Sequence, residues 1–305
     1  MTAGMPTTRF LEIDGGRIAY DDTADDAAFN SNTALNNGAA LENKTALDPA
    51  AADRPLVVCT PGLGDTRASY RHLRPLLTAA GYRVVTMDLR GEGESTAAWD
   101  DYSTPAMAAD LLALVRHLDA GPVLLVSNSY TGGPSFLAAA ETPELFTALA
   151  LTAPFARLQP PLPPIMRVAE FAVSHVVTAW TTYWTTLFPS RKPADFAEAR
   201  KALAANLREP GRMGALRGML DSNQAPGEAA APRVACPVLV VMGGKDPDFK
   251  DPAAEGALVA GLVPDGRLHV VEGAGHYPAA EFPQETADVV LPFFKQARLK
   301  ETRSA

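Results

Sequence analysis

The feature that most constrains this chain is an alternation. Short runs rich in Val, Leu and Ile take turns with longer stretches of helical period, and each short run ends in Gly, Pro, Asp or Ser. Such runs are too apolar to leave either face in water. They read as strands of an α/β fold, a mostly parallel doubly wound sheet with helices on both faces. The expected strands are Pro55–Thr60, Arg83–Asp88, Pro122–Ser127, Ala148–Thr152, Pro237–Gly243 and Arg267–Glu272. Helical period marks Ser69–Ala80, Pro105–Leu118, Pro134–Glu141, Ala253–Leu262 and Gln284–Ala297. Ahead of them, Arg9–Asp14 and Ile18–Asp22, joined through Gly15-Gly16, read as an antiparallel hairpin at the sheet's edge.

Two segments break the alternation. Asp21 to Asp53 is rich in Asp, Asn and Ala and poor in large apolar residues, so it reads as a mobile insertion. Its Asn43-Lys44-Thr45 triplet fits a glycosylation acceptor, but such triplets are common by chance. The second segment, Phe155 to Pro232, interrupts the sheet with Pro-rich and then aromatic helical sequence. It reads as a helical cap over the sheet, which divides the chain into a first core part (1–154), a cap (155–232) and a second core part (233–305).

Composition excludes several classes. With 305 residues, 47% of them hydrophobic and 20% charged, the chain can bury a large core. A net charge of -8 without any basic block argues against nucleic acid or an anionic membrane surface as the main partner. The two cysteines, Cys59 and Cys236, each sit in an apolar run, so they read as small core residues in a reducing compartment. Met1 to Phe10 has no signal-like pattern, and the apolar stretch Ile165–Phe188 is broken by Arg167, Glu170, His175 and many threonines. The expectation is therefore a cytoplasmic protein without membrane insertion; its oligomeric state stays open.

The chemistry concentrates where strands end. The run Pro122–Val126 opens into Ser127-Asn128-Ser129-Tyr130-Thr131-Gly132-Gly133 and then a helix. A serine at a sharp strand-to-helix turn is held out at the carboxyl edge of the sheet with a helix N-terminus behind it, so Ser129 is the nucleophile candidate. The run ending at Gly243 opens into Gly244-Lys245-Asp246-Pro247-Asp248, and the next into Gly273-Ala274-Gly275-His276-Tyr277-Pro278. A carboxylate and a histidine thus leave the same edge, in the order Ser, Asp, His.

With these residues in place the chain resembles the α/β-hydrolase superfamily, from Arg9 to Phe294 apart from the insertion and most of the cap. The resemblance rests on Thr60-Pro61-Gly62-Leu63-Gly64, on Asp88-Leu89-Arg90-Gly91-Glu92-Gly93-Glu94-Ser95, on the Ser129 turn, and on the Asp246 and His276 loops. It implies Ser129 as nucleophile, His276 as general base, Asp246 as the acid that orients it, and the amides of Leu63 and Tyr130 as the oxyanion hole. Asp248, two residues on, is the alternative acid. No cofactor is implied. No histidine pair has metal-ligand spacing, so no metal site is expected. Gly91 and Gly93 lack the third glycine of a dinucleotide fingerprint, and the Arg90 loop reads as structural.

Two departures from the family pattern stand out. The usual Gly-x-Ser-x-Gly elbow carries Ser127 and Thr131 in place of its glycines, so the hydroxyls of both should find local partners. The usual His-Gly of the oxyanion loop is Pro61-Gly62, which leaves the Leu63 amide available. His72 and His117 fall in helical stretches, His269 in a strand and His175 in the cap, where packing roles are expected. Phe171, Trp180, Tyr183, Trp184 and Phe188 make the cap aromatic and read mainly as core. Trp180 and Trp184 are the candidates for substrate contact, because an apolar roof over the serine suits a small apolar ester or lactone. The reading is a serine hydrolase of esterase or lactonase type. Carbon–carbon bond hydrolysis or perhydrolysis by the same three residues, and ligand binding without turnover, are the alternatives.

Overall fold

The computed structural model describes residues 7–25, 54–160 and 163–304. An eight-stranded sheet runs in the order β1-β2-β4-β3-β5-β6-β7-β8. Its strands are β1 (Thr8–Ile13), β2 (Gly16–Asp22), β3 (Leu56–Thr60), β4 (Arg83–Met87), β5 (Val123–Asn128), β6 (Phe146–Thr152), β7 (Val238–Gly243) and β8 (Gly266–Val271). The hairpin β1–β2 is antiparallel, as is β2 against β4; all other pairings are parallel.

The central strands are buried along their whole length, yet they still alternate. Leu56, Val58, Val85, Leu125, Leu149 and Val240 face one apolar layer, whereas Val57, Cys59, Val84, Leu124, Ala150 and Val241 face the other. The first layer is closed by α2 (Thr104–Leu118), α3 (Gly132–Glu141) and α9 (Pro252–Ala260), through Leu111, Leu114, Phe136 and Val259. The second is closed by α1 (Arg74–Ala79) and α11 (Pro283–Ser304), through Leu77, Val290 and Phe294. Covering both faces is what a parallel sheet requires, because neither side can meet water. Cys59 and Cys236 are free and buried, as expected.

Between β6 and β7 lie α4 (Pro164–His175), α5 (Val177–Thr186), α6 (Phe196–Leu207), α7 (Arg212–Leu220) and α8 (Ala225–Ala230). They share an apolar cluster of their own, built from Trp180, Trp184, Leu187, Phe188, Leu203, Leu207 and Leu216, and it reaches Tyr277 and Ala280 of the sheet's loops. The last of these helices behaves differently. A side chain at Gly227 of α8 would meet the Gly133 backbone at 2.5 Å, so α8 packs directly on α3.

Three expectations need correcting. Asp21 and Asp22 belong to β2 rather than to the insertion: Asp22 is fully buried and pairs with Arg83 at 2.6 Å, and the turn Thr23–Asp25 follows without a break. The rest of the expected insertion, with its Asn43-Lys44-Thr45 triplet, lies outside the described residues. Helical period from Ser69 resolves into a 3-10 turn, Arg67–Tyr70, and a short helix from Arg74. His72 therefore sits in the turn between them, with Nε2 3.1 Å from Asp195 Oδ1, rather than in a helix. The Arg90 loop is structural: its guanidinium is held by Asp110 at 2.7 Å, with contacts to the Asp101 and Ala106 carbonyls. Among the described residues no helix is long and apolar enough to cross a membrane.

Candidate active site

The chain leaves β3 for β4 on one side and then returns to β5 on the other. The loops after β3 and β5 therefore part and leave a crevice at the carboxyl edge, where ligands of such sheets bind. Ser129 lies on one lip of it and Gly62-Leu63-Gly64 on the other.

Ser129 stands at φ 56, in the left-handed region that side chains rarely adopt. Its neighbours hold it there. Asn128 is still extended, the Ser129–Thr131 turn leads straight into α3, and the Phe155 amide donates to the Ser129 carbonyl at 2.9 Å. Backbone strain of this kind persists only where the surroundings over-determine it, and it is enriched at sites. The opposite lip is as close as chemistry permits. A Cβ on Gly62 would come within 2.9 Å of Ser129 Cβ and 3.0 Å of Asn128 Oδ1, so only glycine fits. The amides of Leu63 and Tyr130 take no partner among the turn and loop hydrogen bonds of the described residues, which leaves them free to donate.

The other two loops converge on the same edge. His276 is 2% exposed, and its Nδ1 lies 2.7 Å from Asp246 Oδ2 and 3.6 Å from Asp248 Oδ2. Asp246, the expected acid, is thus the hydrogen-bonded one. Its Oδ1 also accepts from the Asp248 amide at 3.0 Å, which fixes the turn. The histidine backbone is pinned from two sides. Its amide donates to the Leu187 carbonyl at 3.0 Å, and its carbonyl accepts from Asn128 Nδ2 at 3.2 Å. Asn128 therefore couples the Ser129 turn to the His276 loop directly. Among the described residues no hydrogen bond joins Ser129 Oγ to the imidazole; such bonds often tighten only when substrate is bound.

Burial by itself would hold the imidazolium down, but the charges of Asp246 and Asp248 outweigh it and raise His276 to about 9. Burial also pushes the Asp248 carboxyl up, against the pull of His276. The donor atoms of Asp246, Asp248 and His276 lie within 4.8 Å of one another, close enough to be weighed as metal ligands. With Nδ1 facing Asp246 at hydrogen-bond distance, however, the set has the geometry of an oriented histidine.

The altered elbow divides the two expected hydroxyls. Thr131 Oγ1 donates to the Asn128 carbonyl at 2.8 Å and lies 3.1 Å from Thr60 Oγ1, so it is satisfied locally. Ser127 Oγ is buried with no partner, contrary to expectation: the alternation along β5 puts it on the same face as Leu125, in the apolar layer, where hydroxyl partners are scarce.

Trp180 and Trp184 come to the site by an unforeseen route. The Trp180 indole N–H donates to the Gly64 carbonyl at 2.9 Å, and the Trp184 indole N–H to Asp65 Oδ2 at 3.1 Å. Both rings are buried, and their polar atoms are spent on the loop after β3. On the far side of that loop the Gly64 amide donates to Glu92 Oε1, and burial drives the Glu92 carboxyl well above its usual range. Asn128, Glu92 and Tyr183 stand in the motifs and the aromatic cap singled out in the sequence, but no contact with the candidate site was expected of them. The signal that could have singled out Tyr183 among the cap aromatics is its spacing from Trp180 and Trp184, three and one residues away.

Similarity to known proteins agrees with this architecture. The alpha/beta hydrolase fold family matches residues 55–283. The chain belongs to that family. A protein of Bacillus subtilis (strain 168), provisionally named a 2-succinyl-6-hydroxy-2,4-cyclohexadiene-1-carboxylate synthase, is 27% identical in an alignment of 256 residues that covers 78% of this chain and 89% of that one. The non-heme chloroperoxidase CPO-A1 of Kitasatospora aureofaciens is 28% identical over 223 residues, covering 65% and 76%. The crystal structure of the enol-lactonase from Burkholderia xenovorans LB400 superposes with a TM-score of 0.70 at 19% identity, covering 94% of this chain and all of that one, a likeness of fold.

Proposed function

We propose that this α/β hydrolase cleaves carboxylic ester or lactone bonds of small apolar substrates through an acyl-enzyme on Ser129. The observation that carries the reading is the Asn128 bridge. It ties a serine in left-handed conformation to the loop of a histidine whose Nδ1 is engaged by Asp246. Three groups of the required kinds thus share one edge of the sheet, with Gly62 against Ser129 and the Leu63 and Tyr130 amides without a partner among the turn and loop hydrogen bonds of the described residues.

In the proposed reaction Ser129 Oγ attacks the substrate carbonyl carbon while His276 Nε2 takes its proton, and Asp246 stabilises the imidazolium through Nδ1. The carbonyl π pair moves onto oxygen, where the Leu63 and Tyr130 amides receive it. Collapse of the tetrahedral centre expels the alcohol oxygen, which takes the proton from Nε2. Water then enters by the same route in reverse and releases the acid. Apolar residues surround the three groups: Leu63 and Tyr130 share one cluster with Leu89, and Phe155 packs 5.8 Å from the His276 ring. That supports a small apolar substrate rather than a charged one.

Perhydrolysis is the second reading, favoured by the chloroperoxidase relative: hydrogen peroxide would replace water in the second half-reaction on the same serine. A fluorophosphonate probe, a p-nitrophenyl ester panel and peroxide-dependent peracid formation, each run with Ser129→Ala as control, test both. Labelling confined to Ser129, with ester turnover that Ser129→Ala abolishes, is the expected result. Labelling at Ser127 or Ser135 instead would overturn the site.

A further inference from the structure

Asp248 is the group that the mechanism leaves unused. It is 12% exposed at its side chain, stands 3.6 Å from His276 Nδ1, and adds a second carboxylate to an imidazole that Asp246 already orients. A second buried negative charge is a hindrance to a general base, because it stabilises the protonated form. Its other neighbour is therefore informative. The hydroxyl of Tyr183, on α5, lies 2.8 Å from both Asp248 oxygens and donates to the carboxylate. Burial and the adjoining carboxylates hold that phenol well above its ordinary range, so it remains a donor at every working pH.

Helix α5 is firmly seated for this contact. Trp180, Tyr183 and Trp184 fall at i, i+3 and i+4 on one helical face. All three spend their polar atoms on loops of the sheet: Trp180 on the Gly64 carbonyl, Trp184 on Asp65, and Tyr183 on Asp248. A Cβ on Gly64 would meet the Trp180 ring at 2.1 Å, so the helix and the oxyanion loop are in full contact.

We propose that Tyr183 is a positioning residue: by holding Asp248 through its hydroxyl, it draws that carboxylate's charge away from His276 and so sets the pH at which the histidine can act as a base. The inference rests on His276 being the general base proposed above. The ionisable groups that face His276 are Asp246 and Asp248 from the loop after β7, and Glu281 from α10 (Pro278–Glu281). Glu281 is occupied by the Gly275 amide at 2.6 Å and the Arg191 amide at 3.3 Å, and Asp246 by the imidazole itself. Asp248 alone is held by a group from α5.

The sign follows from which state loses more. Without the phenol, the Asp248 carboxylate is least well satisfied when His276 is neutral, and an imidazolium then compensates it. Proton uptake becomes easier. Tyr183→Phe should therefore move the acid limb of kcat/KM for a p-nitrophenyl ester to higher pH by about half a unit. Asp248→Asn removes the charge and should move the same limb to lower pH by about one unit. In the double variant Tyr183→Phe, Asp248→Asn, the tyrosine change should add nothing, because it acts only through the carboxylate.

The decisive measurement is the pH profile of all three variants, beside an NMR titration of the imidazole signal that vanishes in His276→Gln. An acid limb and an imidazole titration that rise in Tyr183→Phe, fall in Asp248→Asn and fail to rise further in the double variant support the proposal. A Tyr183→Phe enzyme that melts normally, is still labelled at Ser129 and keeps the parental limb overturns it, as does an equal upward move with Asn at position 248. The titration is read without turnover. If Ser129 proves not to be the nucleophile, a shifted imidazole still supports the Tyr183 contact and an unshifted one still rejects it, so the two failures remain distinct.

Discussion

The loops at the sheet's carboxyl edge and the helices between β6 and β7 treat polar atoms in opposite ways. At the sheet edge the proposed reacting groups are held by their own backbone: Ser129 by Phe155, and His276 by Leu187 and by Asn128. Ser129 Oγ and His276 Nε2 take no partner among the hydrogen bonds of the described residues, while Nδ1 is engaged by Asp246. In the inserted helices the polar ends of Trp180, Tyr183 and Trp184 are all consumed on the sheet's loops, and what is left over is support. Even within the insert the division continues. Helix α5 buries Trp180 and Trp184, whereas α4 leaves Val168 and Phe171 largely in solvent. Residue type therefore does not announce the task; what the polar atom is bonded to does.

The sharpest way to break this comparison is at Ser129. Replacing it by Ala should lower ester turnover by about 10⁴-fold or more, with folding unchanged, and His276→Gln should lower it by a similar factor without the two losses adding. Initial rates on the panel beside thermal melts read it. Residual activity near the parental level would move the chemistry elsewhere.

Next in size is the difference between the two acids. Asp246→Asn should cost about a thousandfold in kcat/KM at neutral pH, because the imidazole loses its tautomer and its counter-charge together. Asp248→Asn should cost nothing there and instead raise kcat/KM by up to about tenfold, since its oxygen lies outside hydrogen-bond distance of Nδ1 and the loss of its charge moves the acid limb to lower pH. Equal losses would mean that the pair acts as one unit.

The helices should give smaller and flatter effects. Trp180→Phe and Trp184→Phe each remove one indole donor from the loop after β3 that holds the proposed oxyanion donor Leu63, and a slightly displaced loop should lower kcat by about tenfold for short and long acyl groups alike. A loss that depends on acyl length would make these rings substrate contacts, as their position in an aromatic cap suggests from the sequence. At the bottom of the scale, Phe171→Ser on α4 should leave kcat unchanged and stability within about 0.5 kcal/mol, because that ring is already in water.

The elbow offers a stability test of the same idea. Ser127→Ala removes a buried hydroxyl that has no partner and should be neutral or stabilising by up to about 1 kcal/mol, while Thr131→Ala breaks a bond to the Asn128 carbonyl and should cost about 1 kcal/mol. Urea midpoints of the two variants read the difference. The reverse order would mean that Ser127 Oγ is the hydroxyl that matters to the turn.

Much of this molecule was legible in its residues for a definite reason. Runs such as Val57-Val58-Cys59 and Leu124-Leu125-Val126 are apolar on both faces, and only a strand covered on both sides can use them. Ser129, Asp246 and His276 were legible because each follows such a run directly, and parallel strands deliver all their following loops to one edge. What stayed hidden depends on contacts between segments far apart in the chain. The resemblance favoured Asp246 over Asp248, but the reason lies in the distance of each from His276, a residue thirty positions on from Asp246. Nothing local says that Asn128 reaches the His276 carbonyl, that Ser127 lacks a partner, or that the aromatic residues of α5 turn their polar atoms to loops after β3 and β7. Period and burial are written in neighbouring residues, so the sequence by itself determined the sheet and its edge. The directions of single polar atoms are settled by whichever donor or acceptor the folded chain brings near, so only the tertiary structure decided them.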